Sequence, residues 1–409
     1  MTGIYLDHAA TTPVRPEVVE AMDPYFTKEF YNPSSVYQSS QEVRKKIEEV
    51  REGIAAIIGA KPEEIYFTSG GTEADNWALT TLGRGRGRLP GHIITSSIEH
   101  HAVGHTCKRL ERAGCRVTYL PVDGRGRIRI NDLKRGIGRN TSLISIMYAN
   151  NEIGTLQPIA EIGAVARSYG IPFHTDAVQA CGQVPINVQK EQIDLLSASA
   201  HKFGGPKGVG FLYVRQGIPF WNMLEGGGQE RGLRAGTENV PGIIGMGKAL
   251  ELSVQTMEER RKHESLLRDH MIQRIVGEIP FVRLNGHQWY RLPNNVNVAF
   301  RFVNSESLLI MLDMEHICAS GGSACNSGST TPSHVIEAIN VPKEYKNGVL
   351  RLTLGEENTL EEIDHTVDIL KVIIEELRKE SPEYEDYCKQ AGIPLPEQVE
   401  SLNSEINQL

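Results

Sequence analysis

The sequence is short of cysteine, of net positive charge and of long apolar runs, and each shortage excludes something. Six cysteines stand among 409 residues, at positions 107, 115, 181, 318, 325 and 388, with no closely spaced pairs. That density excludes a disulfide framework and a zinc ribbon, and it leaves reduced thiols, any one of which could be reactive. Lys and Arg number 43 against 51 Asp and Glu, a formal charge of −8. An acidic balance argues against a nucleic-acid partner, because neutralising phosphates calls for a basic face. The one local exception, Gly83-Arg-Gly-Arg-Gly-Arg88, has no interleaved aromatics to stack bases and reads as a solvated loop. No apolar run approaches the roughly 18 residues of a membrane span. The opening MTGIYLDHAATTP also lacks the basic start and apolar stretch of a signal peptide, so a cytoplasmic protein with no membrane partner is expected.

What is present is an ordinary globular composition, 40% hydrophobic and 23% charged, at a length that suggests roughly two or three domains. Short apolar runs predict strands at Glu64–Thr68, His92–Ser96, Arg116–Pro121, Leu143–Tyr148, Pro172–Thr175, Leu195–Ala198 and Val209–Val214. Helical periodicity falls between them, at Thr72–Leu82, His101–Ala113 and Ile159–Tyr169. Alternation at this spacing implies βαβ crossovers and an α/β fold with a mostly parallel sheet. In such sheets ligands gather at the carboxyl ends of the strands. After the glycine-rich stretch from Gly226 to Gly245, one long charged helix, Gly247–Val276, is expected to lead into a smaller C-terminal α/β domain with strands at Val296–Phe300 and Val349–Thr353. The boundaries read as a large domain over 16–259, a small domain over 260–380 and a peripheral tail over 381–409.

Four motifs carry chemistry. Ser69-Gly-Gly-Thr72 lies between a strand and a helix, where glycines allow close approach and free amides favour an anion. It is a phosphate cradle without the Gly-Lys-Ser/Thr of a nucleotide P-loop, and a plain capped turn fits it equally. Lys202 ends the run Ser197-Ala-Ser-Ala-His-Lys and is followed by glycines. Most lysines are solvated surface charges, but an amine enclosed in this way can form a Schiff base. Asp176, in Phe173-His-Thr-Asp, either caps the following turn or pairs with a pyridinium nitrogen. Cradle, aspartate and lysine in this order are the three anchors of a pyridoxal 5′-phosphate (PLP) site. Cys325 sits in Ala319-Ser-Gly-Gly-Ser-Ala-Cys-Asn-Ser-Gly328, a setting that suits a reacting thiolate better than core packing. Cys107, Cys115, Cys181 and Cys318 read as packing residues. His101 and His105 form an i, i+4 pair that could hold a metal, but without a third ligand they read as an exposed helix face.

Over roughly residues 3–375 the chain resembles the PLP-dependent cysteine desulfurases of the NifS/IscS type. The matching segments are Tyr5-Leu-Asp-His-Ala-Ala-Thr-Thr, Thr68-Ser-Gly-Gly-Thr-Glu, Glu99-His100, Asn150-Asn-Glu-Ile-Gly, Asp176-Ala-Val-Gln, Ser199-Ala-His-Lys, Gly226-Gly-Gly-Gln-Glu-Arg-Gly-Leu-Arg-Ala-Gly-Thr-Glu-Asn and Gly322-Ser-Ala-Cys325. The resemblance implies a fold-type I PLP enzyme, a homodimer, whose N-terminal residues 1–15 pack with the small domain. It implies conversion of L-cysteine to L-alanine, with the sulfur left as a persulfide for an iron–sulfur scaffold or another sulfur-acceptor protein.

Position by position, Lys202 resembles the Schiff-base lysine and Asp176 the partner of the ring nitrogen. Gln179 and Asn151 correspond to contacts of the ring substituents, Asn151 also to a substrate contact, and His100 to the stacking residue and proton shuttle. Thr72, Ser199 and His201 correspond to phosphate ligands, with a Gly71 amide and with Thr237 reaching in from the other subunit. Arg351 matches the clamp on the substrate carboxylate, a task suited to a bidentate guanidinium, and Cys325 matches the sulfur-accepting nucleophile. Asn326 stands where relatives often carry Thr or Ser. A selenocysteine lyase on the same scaffold and a non-catalytic scaffold protein are the competing readings. The first is disfavoured by Cys325, the second by Lys202, Asp176, Cys325 and Arg351 occurring together.

Overall fold

The computed structural model describes residues 3–83, 91–321 and 332–392. Contacts divide the chain into two compact units, one built from His8–His263 with Gly286–Pro293, the other from the described parts of Met1–Asp7, Glu264–Asn285 and Asn294–Leu409.

The larger unit is organised by a seven-stranded sheet in the order Ile65–Thr68, Gly210–Val214, Leu195–Ser199, Phe173–Asp176, Thr141–Ser145, His92–Ser96, Arg116–Leu120. Only Gly210–Val214 runs against its neighbours. The other neighbouring pairs are parallel, so six strands present their carboxyl ends at one edge. Strands Leu195–Ser199 and Gly210–Val214 are buried along their whole length and largely apolar or small, as expected for a sheet covered on both faces. Helix Gln38–Ile58 buries Val43, Ile47, Arg51, Ile54 and Ile58 at helical spacing and stops at Gly59, whose φ of 73° is the left-handed turn that glycine adopts without strain.

The smaller unit holds an antiparallel sheet in the order Val349–Thr353, Asn295–Phe300, Val282–Leu284, and a parallel pair formed by Ile4–Tyr5 and Ile317–Cys318. Helix Leu360–Lys379 opens with a reciprocal Thr359/Glu362 cap and buries Ile363, Val367, Leu370 and Ile374 on one face.

The mostly parallel α/β sheet and the second, smaller α/β unit agree with expectation; several details differ. The single connector helix is two, Val240–Gln255 and Met257–Glu278, broken at Thr256, which leaves the helical region. The expected strand at Leu143–Tyr148 lies two residues earlier, at Thr141–Ser145. Within the peripheral tail, residues 382–391 form a helix: Tyr384 and Tyr387 pack their rings on Phe302, and Tyr387 also on Phe281. Cys107, Cys115 and Cys181 are buried, whereas Cys318 is exposed on its short strand and so is not a packing residue.

Candidate active site

The carboxyl edge of the large sheet carries many of the residues singled out in sequence. Strand Ile65–Thr68 runs into helix Gly71–Gly83, whose first-turn amides lack intrahelical partners. A side chain at Gly71 would bring its Cβ within 2.5 Å of Val178 Cγ2 and 3.7 Å of Ser199 Cβ. The backbone there is therefore close against the turn after Asp176 and the end of strand Leu195–Ser199. Thr72 is exposed at the helix start and Ser199 is buried.

The loops beyond the neighbouring strands are laced together. Glu99 is buried; its carboxyl accepts from Ser96 Oγ at 2.5 Å and from Met147 N at 3.1 Å through each oxygen. Tyr148 N in turn donates to Asp176 O at 2.8 Å. Asn150 donates to Ile98 O and accepts from the amides of Glu152 and Ile153, shaping the turn that carries Asn151. His100 begins helix His101–Arg112, and its Nδ1 accepts from Ala102 N at 3.2 Å. A backbone amide can only donate, so Nδ1 is unprotonated and Nε2 carries the ring's mobile proton.

Lys202 lies in the short turn after strand Leu195–Ser199, and its Nζ donates to Ala9 O at 2.6 Å and to Ala10 O at 2.8 Å. Gln179 Nε2 donates to the same Ala9 carbonyl at 3.0 Å, and His201 Nδ1 lies 3.2 Å from Thr11 Oγ1. Burial, aided by the Lys202 and Lys207 charges, pushes His201 down to about 4, so it is neutral at physiological pH. The carbonyls of Ala9 and Ala10 thus gather Lys202 and Gln179. Sequence reasoning gave them no role, because a backbone acceptor has no side-chain signature; their place in a matching motif was the only signal.

Three buried carboxyls lie in this region. Burial raises Asp176, while the Val178 amide, donating to Oδ1 at 2.9 Å, and the Lys202 charge pull it back. Burial and the Asp176 charge hold Asp75 well above the ordinary carboxylate range, and burial pushes Glu99 up to about 8. Asp176 is consequently the carboxyl best placed to be ionised at neutral pH. It also performs the bland task of capping a turn, with one oxygen. Beneath it, His174 is fully buried and pushed down to about 3 by that burial. Its Nδ1 lies 2.8 Å from Ser145 Oγ and its Nε2 lies 3.0 Å from Ser197 Oγ and 3.6 Å from Asp75 Oδ1. Neither Asp75 nor His174 was singled out in sequence, since one falls within a helical run and the other within a strand.

Glycine-rich residues 226–237 are fastened to the strand that feeds the cradle. Glu230 accepts from Arg51 Nη1 at 2.9 Å, Arg51 Nη2 at 2.8 Å and Phe67 N at 2.9 Å, and Arg234 grips Glu73 through two hydrogen bonds of 2.9 and 3.1 Å. Thr237, at the end of this stretch, is exposed.

In the smaller unit Arg351 is buried on strand Val349–Thr353, and its Nη2 donates to Asp7 Oδ1 at 2.7 Å. Cys325, with the rest of the cysteine motif from Gly322 to Gly328, lies outside the described residues, as does nearly all of the Gly-Arg stretch. The His101 and His105 rings stack at 4.9 Å, and among the described residues no cluster of three or more His, Cys, Asp or Glu could hold a metal.

With this geometry in view, comparison with known proteins gives a consistent result. The aminotransferase class-V family model matches residues 4–366. The chain belongs to the class-V aminotransferase family. Family membership makes it a PLP-dependent enzyme, as the anchors in the sequence led us to expect. A relative in Methanosarcina thermophila, named cysteine desulfurase IscS, is 53% identical over 380 residues, covering 93% of this chain and 94% of the relative. A solved NifS-like protein superposes with a TM-score of 0.86 at 36% identity, covering 91% of this chain and 99% of that one. A structure described as SspA in complex with cysteine superposes with a TM-score of 0.77 at 38% identity, covering 87% of this chain and all of the other. The resemblance to NifS/IscS-type enzymes is therefore borne out in both sequence and fold. No described helix is long and apolar enough to cross a membrane.

Proposed function

We infer that the protein is a cysteine desulfurase that converts L-cysteine to L-alanine and leaves the sulfur on Cys325 as a persulfide, for delivery to an iron–sulfur scaffold or another acceptor protein. The observation that carries this reading is a strand-end amine, Lys202, held by the Ala9 and Ala10 carbonyls, whose charge partly offsets the burial that raises the carboxyl Asp176, beside a glycine cradle too tight for a Cβ.

These residues fit PLP. The first-turn amides at Gly71 and Thr72, with Ser199 and His201, suit its phosphate; Asp176 suits a cationic ring nitrogen, and Gln179 and Asn151 suit the ring substituents. His100 suits the ring face, and Thr237 a phosphate contact from a second subunit. When bound, the cofactor supplies an electron sink for charge developing at the substrate Cα.

Arg351 binds and orients the substrate carboxylate, and Asn151 assists. Lys202 would hold the cofactor through Nζ and, with that amine free, would take the Cα proton and return one later. Asp176, with its negative charge, would favour a proton on the ring nitrogen. His100 would relay a proton by giving the one on Nε2 while taking one up at Nδ1 as the Ala102 amide lets go, so that the ring stays neutral overall. The Cys325 thiolate attacks the substrate sulfur: a sulfur–sulfur bond forms as the carbon–sulfur bond breaks, the bonding pair stays with carbon, and protonation there yields alanine.

A cytoplasmic homodimer belongs to this reading. Supporting it, Phe26, Phe30, Val36 and Tyr37 are 53–93% exposed on one stretch of the large unit, an apolar surface that association would cover. The test is alanine and sulfide production from L-cysteine by the wild type and by Cys325→Ala and Lys202→Ala. Both variants should lose activity, and only Lys202→Ala should lose the cofactor's near-visible absorbance band. Full activity of Cys325→Ala would overturn the persulfide route.

A further inference from the structure

Asp7 has no part in the reading above, yet the smaller unit holds it firmly. Its strand is gripped on both edges. Ile4 and Tyr5 pair with Ile317 and Cys318 on one side, where Leu6 N donates to Cys318 O at 2.9 Å. On the other side Thr353 N donates to Leu6 O at 2.7 Å, Asp7 bridges Thr353, and Asn358 Nδ2 donates to Tyr5 O at 3.3 Å. The side chain so delivered accepts from Arg351 Nη2 at 2.7 Å. Arg351 is itself fixed along its backbone, with Arg351 N donating to Ser320 O at 2.7 Å and Ser320 N to Arg351 O at 3.1 Å.

The exposures of the two partners differ: the Arg351 side chain is 1% exposed and that of Asp7 17%. A guanidinium so deep needs a counter-charge, and an anchored Nη2 fixes the plane of the planar fork. Without that anchor the arginine regains rotamer freedom that substrate binding must remove again, a penalty of roughly tenfold in affinity for a long, flexible side chain.

Resting on the reading of Arg351 as the substrate-carboxylate residue, we propose that Asp7 is the positioning residue of that site, holding the Arg351 guanidinium in one orientation for the α-carboxylate of an amino acid. The selectivity for amino acids over simple amines then depends on the N-terminal strand as well as on the arginine.

The test uses the PLP-loaded enzyme and measures dissociation constants for L-alanine and for ethylamine, which lacks the carboxylate, from the absorbance change of the bound cofactor. Asp7→Asn should weaken L-alanine about tenfold and leave ethylamine unchanged. Arg351→Ala should weaken L-alanine further, and adding Asp7→Asn to it should change nothing more. Asp7→Glu keeps the charge but moves the oxygen by one methylene; it should weaken L-alanine in the same direction and serves where the asparagine variant does not fold. Unchanged L-alanine binding in Asp7→Asn, an equal loss for ethylamine, or an Asp7→Asn effect that persists in the Arg351→Ala background would overturn the role of Asp7. Unchanged L-alanine binding in Arg351→Ala would instead overturn the carboxylate assignment of Arg351 itself.

Discussion

Replacing Glu230 with alanine removes the buried ionic link between the glycine-rich stretch and the strand that feeds the cradle. Arg51 and Glu230 are each 4% exposed at the side chain, and the carboxylate takes two guanidinium nitrogens and the Phe67 amide. The variant leaves a buried cation and a buried N–H without that acceptor. Breaking one side of a buried pair costs about 3–5 kcal/mol, and an orphaned amide adds about 1–3 kcal/mol. Arg51 keeps other partners, donating to Ile65 O at 2.7 Å and Glu48 Oε2 at 3.0 Å and stacking on the Phe67 ring at 4.4 Å. We therefore expect a net loss of about 4 kcal/mol. Urea unfolding followed by tryptophan fluorescence reads this well, because Trp77 is fully buried and its Nε1 donates to Trp221 O at 2.8 Å. Because Phe67 lies two residues before the turn into the cradle at Ser69, PLP retention on dialysis should fall as well. A loss below about 1 kcal/mol with PLP retained would refute the argument that this buried pair supports the cradle.

Further outcomes follow from the same structure. Gly71→Ala drives a Cβ to 2.5 Å from Val178 Cγ2; it should destabilise by about 1–3 kcal/mol and weaken PLP at least tenfold in an absorbance titration. Glu99, pushed up to about 8 from 4.5, keeps in the folded state a proton that the unfolded chain loses. Its contribution to stability is therefore complete below about pH 4.5 and declines toward pH 8, on the order of 5 kcal/mol; Glu99→Gln should flatten that part of the stability–pH curve. Tyr387→Ala removes ring contacts at 5.2 and 5.4 Å and an Arg301 contact at 5.0 Å; it should cost about 2 kcal/mol and speed proteolysis near Ser381.

What the sequence made legible were residues whose local context is chemically unusual. Lys202 and Asp176 each end an apolar run and meet small residues, so the parallel sheet and its ligand-binding edge could be read before any coordinates. The rest depends on relations that no local pattern encodes. Lys202 reaches a carbonyl 193 residues away in the chain, and Asp75 and His174 become partners only when the sheet stacks their elements. Gly286–Pro293 packs with the large unit although its neighbours on both sides belong to the small one. The break at Thr256 lies in a sequence without proline or glycine, so helical periodicity carries straight through it. Helix Pro382–Ala391 looks like a polar tail until Phe281 and Phe302 supply the aromatic surface it docks on.

The central claim is that sulfur leaves L-cysteine onto Cys325. It is tested most directly by mass spectrometry of the Cys325 peptide after the PLP-loaded enzyme meets L-cysteine without a reductant. The account predicts a gain of one sulfur atom on Cys325, alanine formed in equal amount, and loss of the added mass on treatment with a thiol. Alanine and free sulfide appearing while Cys325 stays unmodified would contradict it.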